Sequence, residues 1–166
     1  MARIAVVASL VSVVALAQTV RVKWERGTDF SEYQTYTWHD NPSDDVAAAT
    51  DRIIADHIDS VMSLNGIFRD DYEPELFITY YGSAEESFGI GGGYRSDWTS
   101  AGAITIDSHL AGTLVVDIVD VDENQVVWRG IATATIQREA RKNRQIVQNA
   151  LTKMFDSFPP PPPKKR

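Results

Sequence analysis

Val20, Val22 and Trp24 alternate with Arg21, Lys23 and Glu25, the two-residue period of a strand with one buried face. Gly27-Thr28-Asp29 interrupts the run, and Thr35 to Trp38 predicts a second short strand with Tyr36 and Trp38 on one face. The period then changes. Val46, Thr50, Ile53, Ile54, Ile58, Val61 and Leu64 recur at three- and four-residue spacing, the stripe of an amphipathic helix. Asn41 is its expected N-cap, Pro42 its first helical residue, and Asp44 and Asp45 lie in its first turn, where carboxylates complement the helix dipole. Asn65-Gly66 supplies a left-handed stop.

Asp70, Asp71, Glu73 and Pro74 predict a polar loop, followed by a strand over Leu76 to Tyr81. Gly82 to Gly102 is rich in glycine and aromatics without a clear period, which predicts a long loop or a wide hairpin. The strongest strand signals are Thr113 to Val121 and Val126 to Ile136, flanking Asp122-Glu123-Asn124. A three-residue connection there sets Ile118 opposite Trp128, Val116 opposite Gly130, and Asp117 opposite Arg129 on the other face, a favourable cross-strand charge pair. Gly130, Ala132 and Ala134 share the Trp128 face and leave room for a bulky element. The last helix fits that place: Ile146, Val147, Ala150, Leu151, Met154, Phe155 and Phe158 form its apolar stripe. Pro159 to Pro163 end it and lead, as a stiff polyproline II tail, to Lys164-Lys165-Arg166.

The N-terminus carries a different signal. Arg3 is the one charge before the apolar run Ile4 to Val14, which ends at Ala15-Leu16-Ala17. This is the pattern of a secretory signal peptide cleaved between Ala17 and Gln18, and it is too short to cross a bilayer. Residues 1–17 are therefore set aside, 18–158 are expected to form one α+β domain, and 159–166 a proline-rich basic tail. The implied location is exported, either periplasmic or secreted. Cysteine is absent, so the domain folds on packing alone and has no thiolate metal site or cysteine nucleophile. The chain has 16 Lys and Arg against 23 Asp and Glu; loss of Arg3 leaves 15 against 23, a formal charge of −8. That balance disfavours nucleic acid as a partner.

Candidate chemistry is sparse. Gly89-Ile90-Gly91-Gly92-Gly93-Tyr94 superficially suggests a phosphate loop, but Tyr94 stands at the third glycine position and no Gly-Lys-Ser/Thr follows. Asp120, Asp122 and Asn124 match the start of a calcium loop, yet Gln125 and Ile131 replace its glycine and glutamate, so a hairpin turn explains them better. Asp70, Asp71, Glu73 and Glu75 read as a solvated acidic loop. His39, His57 and His109 lack paired metal spacing, and no nucleophile elbow occurs. Arg138, Arg141, Lys142 and Arg144 read as charge balance. No catalytic, cofactor or metal residue is therefore assigned. The aromatics of the glycine-rich segment make it the candidate partner-binding surface, with Phe88, Tyr94, Arg95 and Trp98 as its contacts. Tyr36, Trp38, Asp117, Trp128, Arg129 and Gly130 are assigned structural roles.

Several landmarks occur in order: Asp29 to Trp38, Pro74-Glu75-Leu76, Gly112 to Asp120, Val127-Trp128-Arg129-Gly130 and Phe158-Pro159-Pro160. As a set they resemble bacterial domain-of-unknown-function family 4136, found mostly in cell-envelope lipoproteins. The resemblance implies an envelope location and no particular activity. Typical relatives carry a lipobox cysteine where this chain has Ala17-Gln18, which favours a soluble exported protein here.

The fold expected is α+β, a mainly antiparallel sheet of five or six strands with two helices on one face. The leading function is a non-catalytic binding or assembly module of the envelope, with an envelope protein or small molecule as partner. A periplasmic small-molecule carrier, using a pocket between the sheet and the helices or beneath the aromatic segment, is the alternative, and a hydrolase-type enzyme comes third. A buried apolar pocket with a few polar groups favours the carrier; a flat aromatic surface patch favours assembly.

Overall fold

A computed structural model describes residues 18–39, 48–91 and 105–162. Six strands are present among them: β1 (Thr19–Trp24), β2 (Thr35–Trp38), β3 (Phe68–Arg69), β4 (Leu76–Gly91), β5 (Thr105–Asp120) and β6 (Gln125–Thr135). They form one sheet in the order β1-β6-β5-β4-β2-β3. Pairing is antiparallel except at β2, which runs parallel to both β3 and β4. Parallel neighbours need a crossover, and helix α1 (Ala48–Leu64) supplies it between β2 and β3. Helix α2 (Ala140–Phe155) closes the domain. The fold is α+β, as expected.

Strand alternation divides the sheet into two faces. Leu76, Ile78 and Tyr80 of β4, Leu114, Val116 and Ile118 of β5, and Trp128 and Ala132 of β6 join one core with Ile54, Ile58 and Met62 of α1. Ala150, Leu151, Met154 and Phe155 of α2 complete it. Trp128 stacks on Phe155 at 4.7 Å between ring centroids, and Phe158 meets both rings edge-on. Phe30, from a short 3-10 turn over Phe30–Glu32, packs on Phe158 at 5.4 Å.

The register between β5 and β6 places Ile118 opposite Trp128, Val116 opposite Gly130 and Asp117 opposite Arg129. The connection itself differs from the expected three-residue loop. Val119 pairs with Val126 and Asp120 with Gln125, so Val127 is an extra residue in β6 and the turn spans Val121 to Asn124. A longer turn and a bulge cancel, leaving the register beyond them unchanged. The bulge also explains why Val127 and Trp128 are consecutive buried residues. Asn124 takes the left-handed conformation, φ 49°, that closes the turn.

Several expectations need correction. Leu64 is 86% exposed, while Met62 is buried in its stead, because Ile54, Ile58 and Met62 follow the four-residue spacing and Leu64 lies round the helix from them. Phe158 is buried but lies beyond α2, which ends at Phe155 before the prolines. Trp24, at the end of edge strand β1, is 44% exposed instead of sharing the burial of Val20 and Val22. The glycine-rich segment, expected as a long loop or a wide hairpin, is hairpin strand where it is described: Gly82 to Gly91 pairs antiparallel with Leu114 to Thr105. A ladder is made of backbone groups, so it continues through residues whose side chains show no period. Pro160, expected in a projecting tail, is buried. The expected N-cap of α1, at Asn41 and Pro42, lies outside the described residues.

Candidate functional site

A cleft of about 300 Å³ lies between the sheet and the helices, bordered by the first described turns of α1 and the N-terminal half of α2. Its origin is visible in residue size. Toward the centre of the sheet, Met154 descends onto Gly130 and fills the space. Further along, Gly112, Ala132 and Ala134 of the sheet face Ile146, Val147 and Ala150 of α2, with Ile54, Leu114 and Ile136 closing the sides. These side chains are too short to meet. Ile136 lies close over Gly112, where a Cβ would come within 2.9 Å of its Cδ1.

The polar groups at the cleft are few. Gln18 donates from Nε2 to the Ile146 carbonyl at 2.8 Å, tying the start of the described chain to α2. Asn143 accepts from the Gln137 backbone N–H at 2.7 Å and donates to the Gln137 carbonyl at 2.8 Å. The Asn143 amide is thus spent on backbone groups, and Gln18 Oε1 accepts in addition from Lys153 Nζ at 3.4 Å. Thr50, one helical turn before Ile54, brings a hydroxyl from α1. Ser83, Thr113 and Thr135 border the cleft at strand positions that alternate away from the helices. Among the described residues, no charged or aromatic one lines it.

Beside the cleft, α1 is fixed to the sheet by carboxylates. Asp59 Oδ1 accepts from the Tyr36 hydroxyl at 2.6 Å and from Trp38 Nε1 at 3.0 Å. Asp51 accepts from the Tyr80 hydroxyl at 2.8 Å. Burial, and then the bond to Asp59, push the Tyr36 hydroxyl well above the ordinary tyrosine pKa. These are neutral donors that tie α1 to the sheet. His57 sits half-buried against the Phe155 ring, and desolvation lowers its pKa.

A separate acidic groove is lined by Glu25, Asp29, Glu32, Glu75, Asp120, Asp122 and Glu123 around Tyr33. Three of its side chains are engaged locally: Tyr33 donates to Asp120 at 2.6 Å, Asp120 caps the turn at the Glu123 N–H, and Glu75 accepts from the Gln34 and Thr35 N–H groups. The neighbouring loop behaves likewise. Asp70 accepts from the N–H groups of Tyr72 and Glu73, and Asp71 from Arg69 and Thr37. These carboxylates hold turns together, where the sequence suggested mere solvation. Among the described residues no three His, Cys, Asp or Glu gather to hold a metal ion.

Of the predicted partner contacts, Phe88 lies in β4, its backbone paired with Ser108. Tyr94, Arg95 and Trp98 lie outside the described residues. Asp117 and Arg129 pair through two bonds of 2.6 Å on the sheet face away from the helices. Asp117 is 5% exposed, so the carboxylate of the pair is buried. Its bond, first among the causes, raises the Arg129 pKa. The cleft residues on α1 and α2 were read only as core. The small residues Ala132 and Ala134 were the available signal, but they were credited wholly to helix packing.

The model of the family described as "Domain of unknown function (DUF4136)" matches residues 20–160. The chain belongs to this family. No curated protein matches it in sequence. Among solved structures, a PDZ domain protein from Parabacteroides distasonis is similar at 14% identity and a TM-score of 0.60 over 87% of this chain. This chain spans only 36% of that protein's length. The PelC dodecamer from Paraburkholderia phytofirmans is similar at 10% identity and a TM-score of 0.50, covering 84% of this chain and 96% of PelC. A minor lipoprotein from Acinetobacter baumannii matches more loosely, at 12% identity and a TM-score of 0.40 over 76% of this chain and 92% of its own. At these identities the first two share a fold with this DUF4136 domain. No helix among the described residues is long and apolar enough to cross a membrane.

Proposed function

We propose that this DUF4136 domain is a non-catalytic binding module exported to the bacterial envelope, and that it takes a small apolar ligand in the cleft between sheet and helices. The observation that carries the reading is the cleft itself: about 300 Å³, apolar, and kept open by Gly112, Ala132, Ala134 and Ala150. Ligand pockets are concave, mostly apolar and supplied with few polar groups, and this one meets each description. Its volume lies at the small end of that class. The segment Arg3 to Ala17, with its apolar run and small-residue end, supports export to the periplasm or beyond.

Native mass spectrometry of the protein recovered from an envelope fraction tests both halves. The expected result is a chain beginning at Gln18 that releases a small molecule on denaturation. A chain retaining residues 1–17 would contradict export, and protein repeatedly recovered without a small molecule would contradict the binding role.

An assembly module is the second reading, favoured by the sheet face away from the helices. Phe77, Tyr81, Val115 and Ile131 surround the Asp117–Arg129 pair there, and Tyr81 is 43% exposed. The PelC neighbour is a dodecamer, which supports testing the oligomeric state of this chain by sedimentation.

A further inference from the structure

The lining of the cleft points to a ligand class, and this step rests on the binding role proposed above. We infer that the cleft accepts a single aliphatic chain, recognised by volume and dispersion, with any polar end left at the mouth. Three observations lead there. First, among the described residues the lining has no Asp, Glu, Lys, Arg or His; the nearby Lys153 ammonium donates to Gln18 Oε1 at 3.4 Å, so an ion brought into the apolar interior would stay uncompensated. Second, among the described residues it has no aromatic side chain, so a planar ring would find no partner there for stacking. Third, the two amides at the cleft are already committed, Gln18 to the Ile146 carbonyl and Asn143 to both backbone groups of Gln137. A sugar or peptide needs many convergent donors and acceptors, and here the polar side chain on the helix wall is the Thr50 hydroxyl. What is left to the ligand is contact with Ile54, Leu114, Ile136, Ile146, Val147 and the alanines between them.

Aliphatic recognition has a signature that polar recognition lacks: affinity follows chain length. Each methylene that leaves water is worth about fourfold in affinity until the cleft is full. Calorimetric titration of the chain with a series of straight-chain 1-alkanols, from hexanol to decanol, reads this directly. The expected result is saturable binding of one alkanol per chain, strengthening about fourfold per added carbon over part of the series. Ala134→Leu fills the cleft from the sheet and Val147→Phe from the helix; each should weaken the longer alkanols at least tenfold, a loss of about two methylene contacts or more. Ile146→Ala opens the cleft instead and should move the length of strongest binding upward, which keeps the test decisive if a filling variant fails to melt cooperatively.

Binding without length dependence, or binding unchanged in both filling variants, would overturn the inference. No alkanol uptake by a protein that still releases a small molecule from the envelope would overturn the aliphatic class alone. No uptake together with nothing released would remove the binding role as well.

Discussion

Gly130 and Met154 occupy one another's space. A Cβ on Gly130 would fall 2.3 Å from both Cγ and Sδ of Met154 and 2.7 Å from Cη2 of Trp128. The strand lacks a side chain there because α2 needs the room. Gly130→Ala should therefore destabilise the domain by about 1–3 kcal/mol through overpacking, although alanine suits a strand better than glycine does. Met154→Ala alone should cost about 2–5 kcal/mol. Urea melts of the double variant should show less than the sum, because the shorter side chain makes space for the added Cβ.

Trp128 is 1% exposed, with Phe155 stacked on it and Phe158 against its edge. Trp128→Ala should cost about 3–5 kcal/mol. A near-neutral effect in a denaturant melt would mean that the β6 face is assigned the wrong way round.

The Asp117–Arg129 pair should respond asymmetrically. Its partners are unequally exposed, with the Arg129 side chain at 41% and that of Asp117 at 7%. Arg129→Ala leaves a buried carboxylate without its donors and should cost about 1–3 kcal/mol. Asp117→Ala leaves a guanidinium that can turn to water and should cost less. Equal losses in the two single variants would contradict this account of the pair.

His57 gives the fold a pH dependence of known sign. Burial holds its folded-state pKa below the ordinary 6.5, so the unfolded chain binds more protons just below that pH. Its contribution is fully present above pH 6.5 and is lost as the pH falls from there toward the folded-state pKa. Replacing it in His57→Gln should flatten the decline in urea midpoint between pH 7 and pH 5.5. An unchanged slope would mean that other groups account for the whole decline.

Much of the sheet was legible because its signals are local. The pairing of β5 with β6 follows from two β-rich runs and a turn, and it survives the bulge at Val127 because the longer turn compensates. The second half of β4 was legible only as one of two alternatives, loop or wide hairpin. Glycines and scattered aromatics carry no side-chain period, while the pairing of Gly82 to Gly91 is made by backbone groups. Leu64 was misplaced for a related reason: three- and four-residue spacings both read as helix, and only the position of the sheet decides which residue faces it. A pocket between sheet and helices was one expectation for a carrier, but the residues that line it were hidden most deeply. Small residues say that something packs close, as Met154 does on Gly130, but not that the helix stops short at Ala132 and Ala134.

The most direct test of the cleft as the ligand site is a methyl NMR titration of the protein with a small-molecule extract of the bacterial envelope. The account predicts saturable shifts at Ile54, Leu114, Ala132, Ala134, Ile146, Val147 and Ala150, which border the cleft, with Val115 and Ile131 on the opposite face silent. Shifts confined to Val115 and Ile131, with the cleft methyls unmoved, would contradict it and turn attention to the open face of the sheet.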